Sequence, residues 1–537
     1  MPRLRLTLVL AAAAALATSS SALAQELRGF PEPMQFPGDA SAGAAKADPA
    51  AWLVGAKPGA GAQAAARGYG AERIGPGGDY VVPRRHARGF AAALRSRGLL
   101  VYAQPDELRS TKQVVADDPL SAPPNAWRAA VADRALSPPA VSDASPLIAL
   151  LDTRLDETHP EFGGGRISTL GVRPLDSLHG TATAAAAAAP QNGVGGLGLW
   201  PGARALNIPL PSQRLTCSAS AKGVQKAIDA GAAVINMSYG SQSLCRAEYN
   251  ALQRAVSRGI VPVAAAGNEF ASGNPLEFPA SLPHVLTVAA VNASLDSSAF
   301  SNANPAVDLS APGENLLLAV PPSQDTEDGT QDGYLALDGT SFSAPIVSGA
   351  VAWVRAARPE LTPSQAAQVV RISARDLGRK GFDDQTGFGL LDMRAALAKT
   401  PPPADPLEPN DDMAFVNGRA FGTAAPIVFD GRKRNRFVAL VDAYEDPADV
   451  YRVRVRGRSR VQVTAQPAFG NPVLVGFRGN ARSLSSKSLA TSRHSGGRTE
   501  RITLRNRGRT AKTFFVAVGV QRNAKTLDAG YALTLRR

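Results

Sequence analysis

The chain has 537 residues, 44% of them hydrophobic and 19% charged, a length for three or four domains and the composition of globular units with sizeable cores rather than of a disordered or fibrous chain. Its two cysteines exclude a disulfide-framed miniprotein. The net charge of +13 is uneven: residues 405–537 hold 24 Lys and Arg against 11 Asp and Glu, which accounts for the whole surplus. That asymmetry concerns the segment's partners or solubility, not its fold.

The opening "MPRLRLTLVLAAAAALATSSSALAQE" puts Arg3 and Arg5 before an apolar run and ends in Ala-Leu-Ala. This is the pattern of a secretory signal peptide over residues 1–24, cut after Ala24. The run is too short for a comfortable membrane span, and no other span is expected. An exported protein, extracellular or held at the cell envelope, is therefore expected. Residues 25–48 are rich in Gly, Ala and Pro and read as a flexible segment.

Residues 49–117 read as a small α+β unit. "AWLVGAKPGAGAQAAARGYGAERI" suggests a strand and a helix, and "DYVVPRR" a second strand. "HARGFAAALRSRG" suggests a helix stopped by Gly98, and "LLVYAQPD" a further strand. A looser stretch follows, from about residue 107 to 145.

Within residues 118–400, "LIALLD", "AAVINMS", "IVPVAAAGN" and "HVLTVAAV" are near-continuous apolar runs. They are the mark of strands buried on both faces of a parallel sheet. "SAKGVQKAIDAG" and "EYNALQRAVSRG" between them read as helices ended by Gly. The expected fold is α/β, a mostly parallel sheet with helices on both faces. Residues 401–407 are a Pro-rich linker. Over residues 408–537, "RFVALV", "DVYRVRVRG", "RVQVTAQP", "RITLRN", "TFFVAVGV" and "YALTLRR" alternate with turn residues, as in an all-β sandwich.

Four polar groups stand at junctions of the α/β segment. Asp152 ends the buried run "LIALLD", where such folds place ligands and chemistry. His179 precedes an Ala-rich run in "LHGTATAAAAAA", and Asn268 closes "AAAGN". Ser341 lies in "DGTSFSAPIVSGAV", where a turn becomes a small-residue helix with Pro345 just inside. Singly, each suits a bland role: a cap, a turn residue or a structural histidine. A serine at a helix start also suits a nucleophile, because free N–H groups there stabilise an oxyanion.

Taken in order with their neighbours, "LLDTRLDETHPEF", "HGTATA", "VAAAGNE" and "GTSFSAP" resemble the Asp, His, oxyanion and Ser motifs of the subtilases, the subtilisin-like serine peptidases. The resemblance covers about residues 118–398 and implies a serine endopeptidase. Ser341 would be its nucleophile, His179 its base, Asp152 the orienting acid and Asn268 an oxyanion donor. Ser238, Tyr239 and Gly240 in "VINMSYG" would pair with a bound peptide. Ala265, Ala266 and Gly267 would wall the primary specificity pocket, with Glu277 in "GNEFASGNPLEFPA" at its floor, suiting Lys or Arg before the cut. Two departures stand out. Arg154 replaces the usual Gly after Asp-Thr, and Ala182 a usual His. Arg154 would bring a cation and a Cβ near Asp152, and it is the best support for the rival reading, a weak or inactive subtilase-fold protein that binds peptides or surfaces.

Residues 49–117 loosely resemble the subtilase propeptide, a folding chaperone and temporary inhibitor. A zymogen that cuts itself between about Asp106 and Leu120 is then expected. "LEPNDD" with "DPADVYRVRV" resembles the bacterial pre-peptidase C-terminal domain. Its basic face would suit an acidic wall polymer or substrate, or be merely solvated; no nucleic-acid partner is expected. No cofactor is required, and no compact acidic motif stands ready for calcium, which is structural in many subtilases. Cys217 and Cys245 flank a helix and the strand after it, so a helix and a return along it would let them pair, closing a loop worth about 3 kcal/mol; two separate buried thiols remain the alternative.

Overall fold

The computed structural model describes residues 47–111, 115–116, 126–132, 136–405, 407–521 and 528–537. The expected signal peptide and nearly all of the segment 25–48 lie outside these. The rest forms two compact units, residues 47–404 and 405–537.

A seven-stranded sheet is the frame of the first unit. Its order is Leu309–Pro312, Leu286–Val291, Val261–Ala265, Val234–Met237, Ile148–Asp152, Ala205–Pro209 and Ile167–Thr169. Every neighbouring pair is parallel. The central strands are buried at every residue, which is why their sequences show no alternation. From Ile148–Asp152 the chain runs on one side to the edge strand 167–169, comes back to fill the gap with 205–209, and then lays Val234–Met237 on the other side. The crevice at such a switch of direction lies beyond the C-terminal ends of these two strands. Asp152 and Ser238 sit there.

Helices cover the sheet. Helix His179–Ala188 is buried throughout, and its alanines let helix Thr340–Ala357 approach closely. A Cβ on Gly349 would stand 3.0 Å from the Ala187 carbonyl oxygen. Helix Pro363–Ile372 starts with a full capping box between Thr362 and Gln365 and with Pro363 in its first turn.

Ahead of this frame, strands Leu100–Thr111, Ala47–Ala56, Asp79–Pro83 and Glu72–Ile74 form an antiparallel sheet in that order. Helices Ala60–Arg67 and Arg84–Ser96 pack on one face around Trp52, Val54, Tyr80, Phe90 and Leu94. Gly98 ends the second helix region at φ +65°, as expected for a C-terminal stop. The other face, with Leu53, Ile74 and Tyr102, packs on Cys217, Ala221, Cys245 and Ala247. Those four residues belong to helices Cys217–Asp229 and Arg246–Ser257 or cap them. Buried polar contacts cross the same interface. Asp79 meets Arg254 at 3.3 Å and accepts from Tyr102 at 2.9 Å, and the Ser218 N–H donates to Asp106 at 2.7 Å.

Strand Leu100–Thr111 extends five residues past "LLVYAQPD". Its far end pairs antiparallel with Leu215–Thr216 on one edge and Tyr239–Gly240 on the other. Val115–Ala116 then pairs with Leu337–Asp338.

The unit 405–537 holds two β-sheets. One runs Ile427–Phe429, Ala448–Val455, Lys512–Val520, Pro472–Arg478, Ser488–Ser492; the other Asn435–Asp442, Asp528–Arg536, Ser459–Phe469, Glu500–Asn506. Their shared core includes Val453, Val463, Leu474, Val516 and Leu533. This is the expected sandwich. Strand Pro472–Arg478 was not expected: six of its seven residues are buried, so it carries no alternation.

Candidate active site

Asp152 and His179 come together at the switch point. The His179 Nδ1 lies 2.7 Å from Asp152 Oδ1, with both side chains almost wholly buried. The carboxylate also accepts from the Thr153 N–H at 2.7 Å and from the Thr183 hydroxyl at 3.2 Å. The imidazole is held from behind: the Gly180 N–H donates to Thr153 Oγ1 at 2.8 Å, and a Cβ on Gly180 would stand 2.1 Å from the Thr153 carbonyl oxygen. Glycine after the histidine is thus required by close approach. Asn207 completes the support, donating to the Thr153 carbonyl and accepting from the Leu155 N–H. A carboxylate on Nδ1 leaves Nε2 as the working nitrogen of the ring. Nε2 is buried and makes no hydrogen bond among the described residues.

Ser341 is the second residue of helix Thr340–Ala357, and the N-cap is Gly339, which has no side chain to cap with. The capping role is therefore not what Ser341 performs. Its hydroxyl reaches toward the Ser238 carbonyl at 3.4 Å. The Ser238 hydroxyl in turn donates to the Ser341 carbonyl at 2.7 Å. Pro345 explains that bond: four residues on from Ser341, it has no N–H to give this carbonyl, and Ser238 supplies the donor. Asn236 and Ser348 extend the network behind it. The Phe342 ring lies 5.7 Å from the His179 ring, so the two helix starts abut. Ser343 donates to the Ala311 and Pro312 carbonyls and is structural.

Asn268 is oriented by Thr340. Its side-chain oxygen accepts from the Thr340 N–H at 3.0 Å and from the Thr340 hydroxyl at 2.8 Å. An N–H donor on that oxygen settles which end of the amide is which, and a Cβ on Gly339 would meet the amide nitrogen at 3.4 Å. The amide nitrogen is thereby turned toward the start of the Ser341 helix.

The Subtilase family model matches residues 143–389. Subtilisin from Bacillus pumilus is 32% identical over 258 residues, which cover 46% of this chain and 90% of that protein. The chain belongs to the subtilase family. Subtilisin E from Bacillus subtilis (strain 168) is 33% identical over 258 residues, covering 46% of this chain and 65% of the relative. The first relatives found share that coverage, so the match spans about two thirds of their length. Fervidolysin from Fervidobacterium pennivorans, described as a keratinolytic enzyme related to subtilisin, has a crystal structure that matches 88% of this chain and 86% of its own. Its TM-score is 0.57 at 18% identity, a likeness of fold from the N-terminal α+β unit to the β domain.

Within the subtilase frame the two departures have a structural outcome. Arg154 does not face Asp152: it is half-buried, and its guanidinium donates to the Arg173 carbonyl at 2.9 Å. Nor does its backbone need a glycine, for it is not among the residues with positive φ. The expectation of a cation beside Asp152 is thus corrected; the loop carries the side chain away. Ala182 is buried in the alanine-packed helix.

Other expected residues are placed as follows. Tyr239 and Gly240 form the strand edge next to residues 110–111. Ala265 and Ala266 turn into core clusters, so only their backbone and lack of bulk are on offer to a cleft. Gly267 has φ +116° and donates its N–H to the Thr340 hydroxyl. Glu277 is buried, 3% exposed, beside the bridge between Ser241 and Phe278. Cys217 and Cys245 form a disulfide, Cα to Cα 5.8 Å, that ties together the starts of two packed helices.

Sequence reading missed Thr183, Asn207 and Thr340. Thr183 was findable, four residues from His179 on one helix face. It also missed a carboxylate group in the β unit. Asp405, Glu408 and Asp449 bring ligand-type oxygens within 4.8 Å of one another, an all-oxygen donor set of the kind hard cations take. The three come from two distant stretches, so no compact motif announces them. Burial, reinforced by Glu408, pushes the Asp449 carboxyl well above the usual range. Among the described residues no helix is long and apolar enough to cross a membrane.

Proposed function

We propose that the chain is an exported serine endopeptidase made as a zymogen, with Ser341 as nucleophile. The observation that carries this reading is the buried Asp152–His179 contact at the strand end against the start of the Ser341 helix.

In the proposed mechanism a peptide lies along Tyr239–Gly240. Ser341 Oγ attacks the scissile carbonyl while His179 Nε2 takes its proton. Asp152 holds the ring and stabilises the imidazolium. The Asn268 amide, turned by Thr340, and the Ser341 N–H face the developing oxyanion. His179 gives the proton to the departing amine, and water then releases the acyl group by the same steps in reverse. In this static arrangement Ser341 Oγ rests toward Ser238 rather than on Nε2. Hydroxyls of this kind commonly swing into line only when substrate is bound. The chemistry proposed needs no cofactor.

The N-terminal α+β unit fits the role of inhibitor, because its last strand occupies the edge a substrate would use. In the β unit, Arg458, Arg460, Arg505, Arg507 and Arg537 line one shallow depression, and Arg460 faces Arg505 across neighbouring strands. Like charges so placed favour a polyanion such as an acidic wall polymer. Retention of the protein on a polyanionic resin, lost on Arg460→Ala with Arg505→Ala, would support that partner.

Casein cleavage by wild type and Ser341→Ala tests the main reading. Wild type is expected to cleave and the variant to sit at background. Equal background rates would favour the rival, a peptide-binding protein without catalysis.

A further inference from the structure

The four-stranded sheet of the β unit turns one face to its core and the other outward. Val461, Val463, Leu504, Leu533 and Leu535 belong to the core, so by strand alternation the residues between them lie on the outer face. Strand register sets these outer residues in rows across the sheet. Arg460 stands beside Arg505, and Gln462 lies between Arg536 and Thr503. In the next row Thr464 has Arg501 on one side and Thr534 on the other, with Arg436 beyond Thr534. Arg436, Arg460, Arg501, Arg505 and Arg536 are all exposed, and no carboxylate occupies a position in these rows. Asp442 and Asp528 pair with each other at the far end of the sheet.

Between the arginine rows and that far end the face becomes apolar. Ala532 lies between Val438 and Gln466, and Gly530 between Leu440 and Phe469. Gly530 has no side chain, and the Phe469 ring takes its place: a Cβ on Gly530 would stand 2.5 Å from a ring carbon of Phe469. The ring is 49% exposed. With strands about 4.8 Å apart, the face spans about 14 Å from Arg436 to Arg501, and about 20 Å along the strand from Arg536 to Gly530.

Three kinds of chemistry thus share one surface. Arg460 directly beside Arg505 is a like-charge pair that disfavours the sheet until an anion meets it. A guanidinium takes a carboxylate through two parallel bonds, and Arg536 is already oriented, its Nε donating to the Gln462 side chain at 2.7 Å. Gln462, Thr464, Thr503 and Thr534 add neutral donors and acceptors. The exposed Phe469 ring attracts the C–H face of a sugar, because the face of an aromatic ring is electron-rich. A polysaccharide with carboxylates on its sugars answers all three. Polyphosphate has no apolar face, and single-stranded nucleic acid calls for successive aromatic rings, of which the outer positions described here offer one.

We propose that the outer face of this sheet binds a linear acidic polysaccharide, with Phe469 under a sugar ring and the arginine rows on the carboxylates. The proposal rests on the polyanion reading of the depression at Arg460 and Arg505 and narrows it to one chemical class. It stands apart from the catalytic assignment, because every residue it uses belongs to the β unit.

The test is binding by the purified full chain with Ser341→Ala, which removes the proposed nucleophile. Four probes are compared at one salt concentration: polygalacturonate, its methyl ester, inorganic polyphosphate and single-stranded DNA. Polygalacturonate should bind at least about tenfold more tightly than each of the others, a comparison that needs no change in the sheet. Adding Arg460→Ala and Arg505→Ala should weaken polygalacturonate at least about tenfold. Phe469→Leu should weaken it about tenfold while leaving polyphosphate binding unchanged, and Phe469→Tyr should restore it. Polyphosphate or DNA bound as tightly as polygalacturonate, or Phe469→Leu without effect on polygalacturonate, would overturn the proposal and leave the polyanion reading standing. Equal binding of the methyl ester and the acid, or no binding of any probe, would overturn both.

Discussion

The pairs His179–Asp152 and His494–Glu500 join the same kinds of group, and the first is set up for chemistry while the second is not. His179 lies 2.7 Å from Asp152, and His494 lies 2.9 Å from Glu500. Each has a serine close by. In the β unit, however, the Ser492 hydroxyl donates to the same Glu500 carboxylate that holds the imidazole, and His494 is half exposed. Serine and histidine there compete for one acceptor, so the ring has no hydroxyl to deprotonate. In the α/β unit the carboxylate is reached by backbone and threonine donors, the ring is almost wholly buried, and the serine comes from a different helix. Much the same residue types give a structural tie in one place and a candidate relay in the other. Separate rigid elements make the difference.

That contrast can be broken from its strongest side first. Asp152→Asn keeps the shape of the site but offers Nδ1 the wrong partner. It should lower kcat by about 10⁴ with KM little changed, measured on a peptide substrate. An unchanged kcat would place the pair at Asp152 on the same footing as the pair at Glu500. Asn268→Ala removes an amide that Thr340 orients, and kcat should fall about 10² to 10³. A rise in KM alone would show that the amide binds the ground state instead.

Smaller effects sharpen the comparison. Replacing both cysteines by alanine should cost about 3 kcal/mol in denaturant unfolding, because the closed loop is lost, with kcat nearly intact. A large loss of kcat would mean that the disulfide positions the site. Asp79 gives a pH effect. Burial raises its carboxyl above the ordinary range despite Arg254. A raised folded-state pKa stabilises below the unfolded value, and that contribution is lost as pH climbs through the folded value. The thermal midpoint of unprocessed Ser341→Ala should therefore fall as pH rises above the usual carboxylate range, and Asp79→Asn should flatten that slope. A slope that is unaltered would assign the pH dependence elsewhere. Smallest of all on activity is Glu500→Gln. It should leave kcat and KM unchanged while weakening the β unit by roughly 1–3 kcal/mol through the ties to Ser492 and His494.

Much of the α/β unit was legible because its signals are local. Strands buried on both faces read as apolar runs, and each motif carries its own reason: Gly180 for close approach to Thr153, Pro345 for a carbonyl that Ser238 must serve. Less was legible where partners are distant. The strand ending at Thr111 continues past its apolar part because backbone pairing with 215–216 and 239–240, not side-chain pattern, sustains it. Pro472–Arg478 hides as a strand for the opposite reason: six of its seven residues are buried, so it shows no alternation. Arg154 was expected beside Asp152, but a carbonyl nineteen residues away takes its guanidinium. Asp405, Glu408 and Asp449 meet only in the folded β unit.

Covalent labelling of the processed protein with a serine-reactive phosphonofluoridate, followed by peptide mapping, tests the central claim most directly. The label should fall on Ser341, once per chain, be slowed severely by Asp152→Asn and be indifferent to Glu500→Gln. Label on Ser492, or none on Ser341 in a preparation that still cleaves casein, would contradict the assignment of Asp152, His179 and Ser341 as the working set.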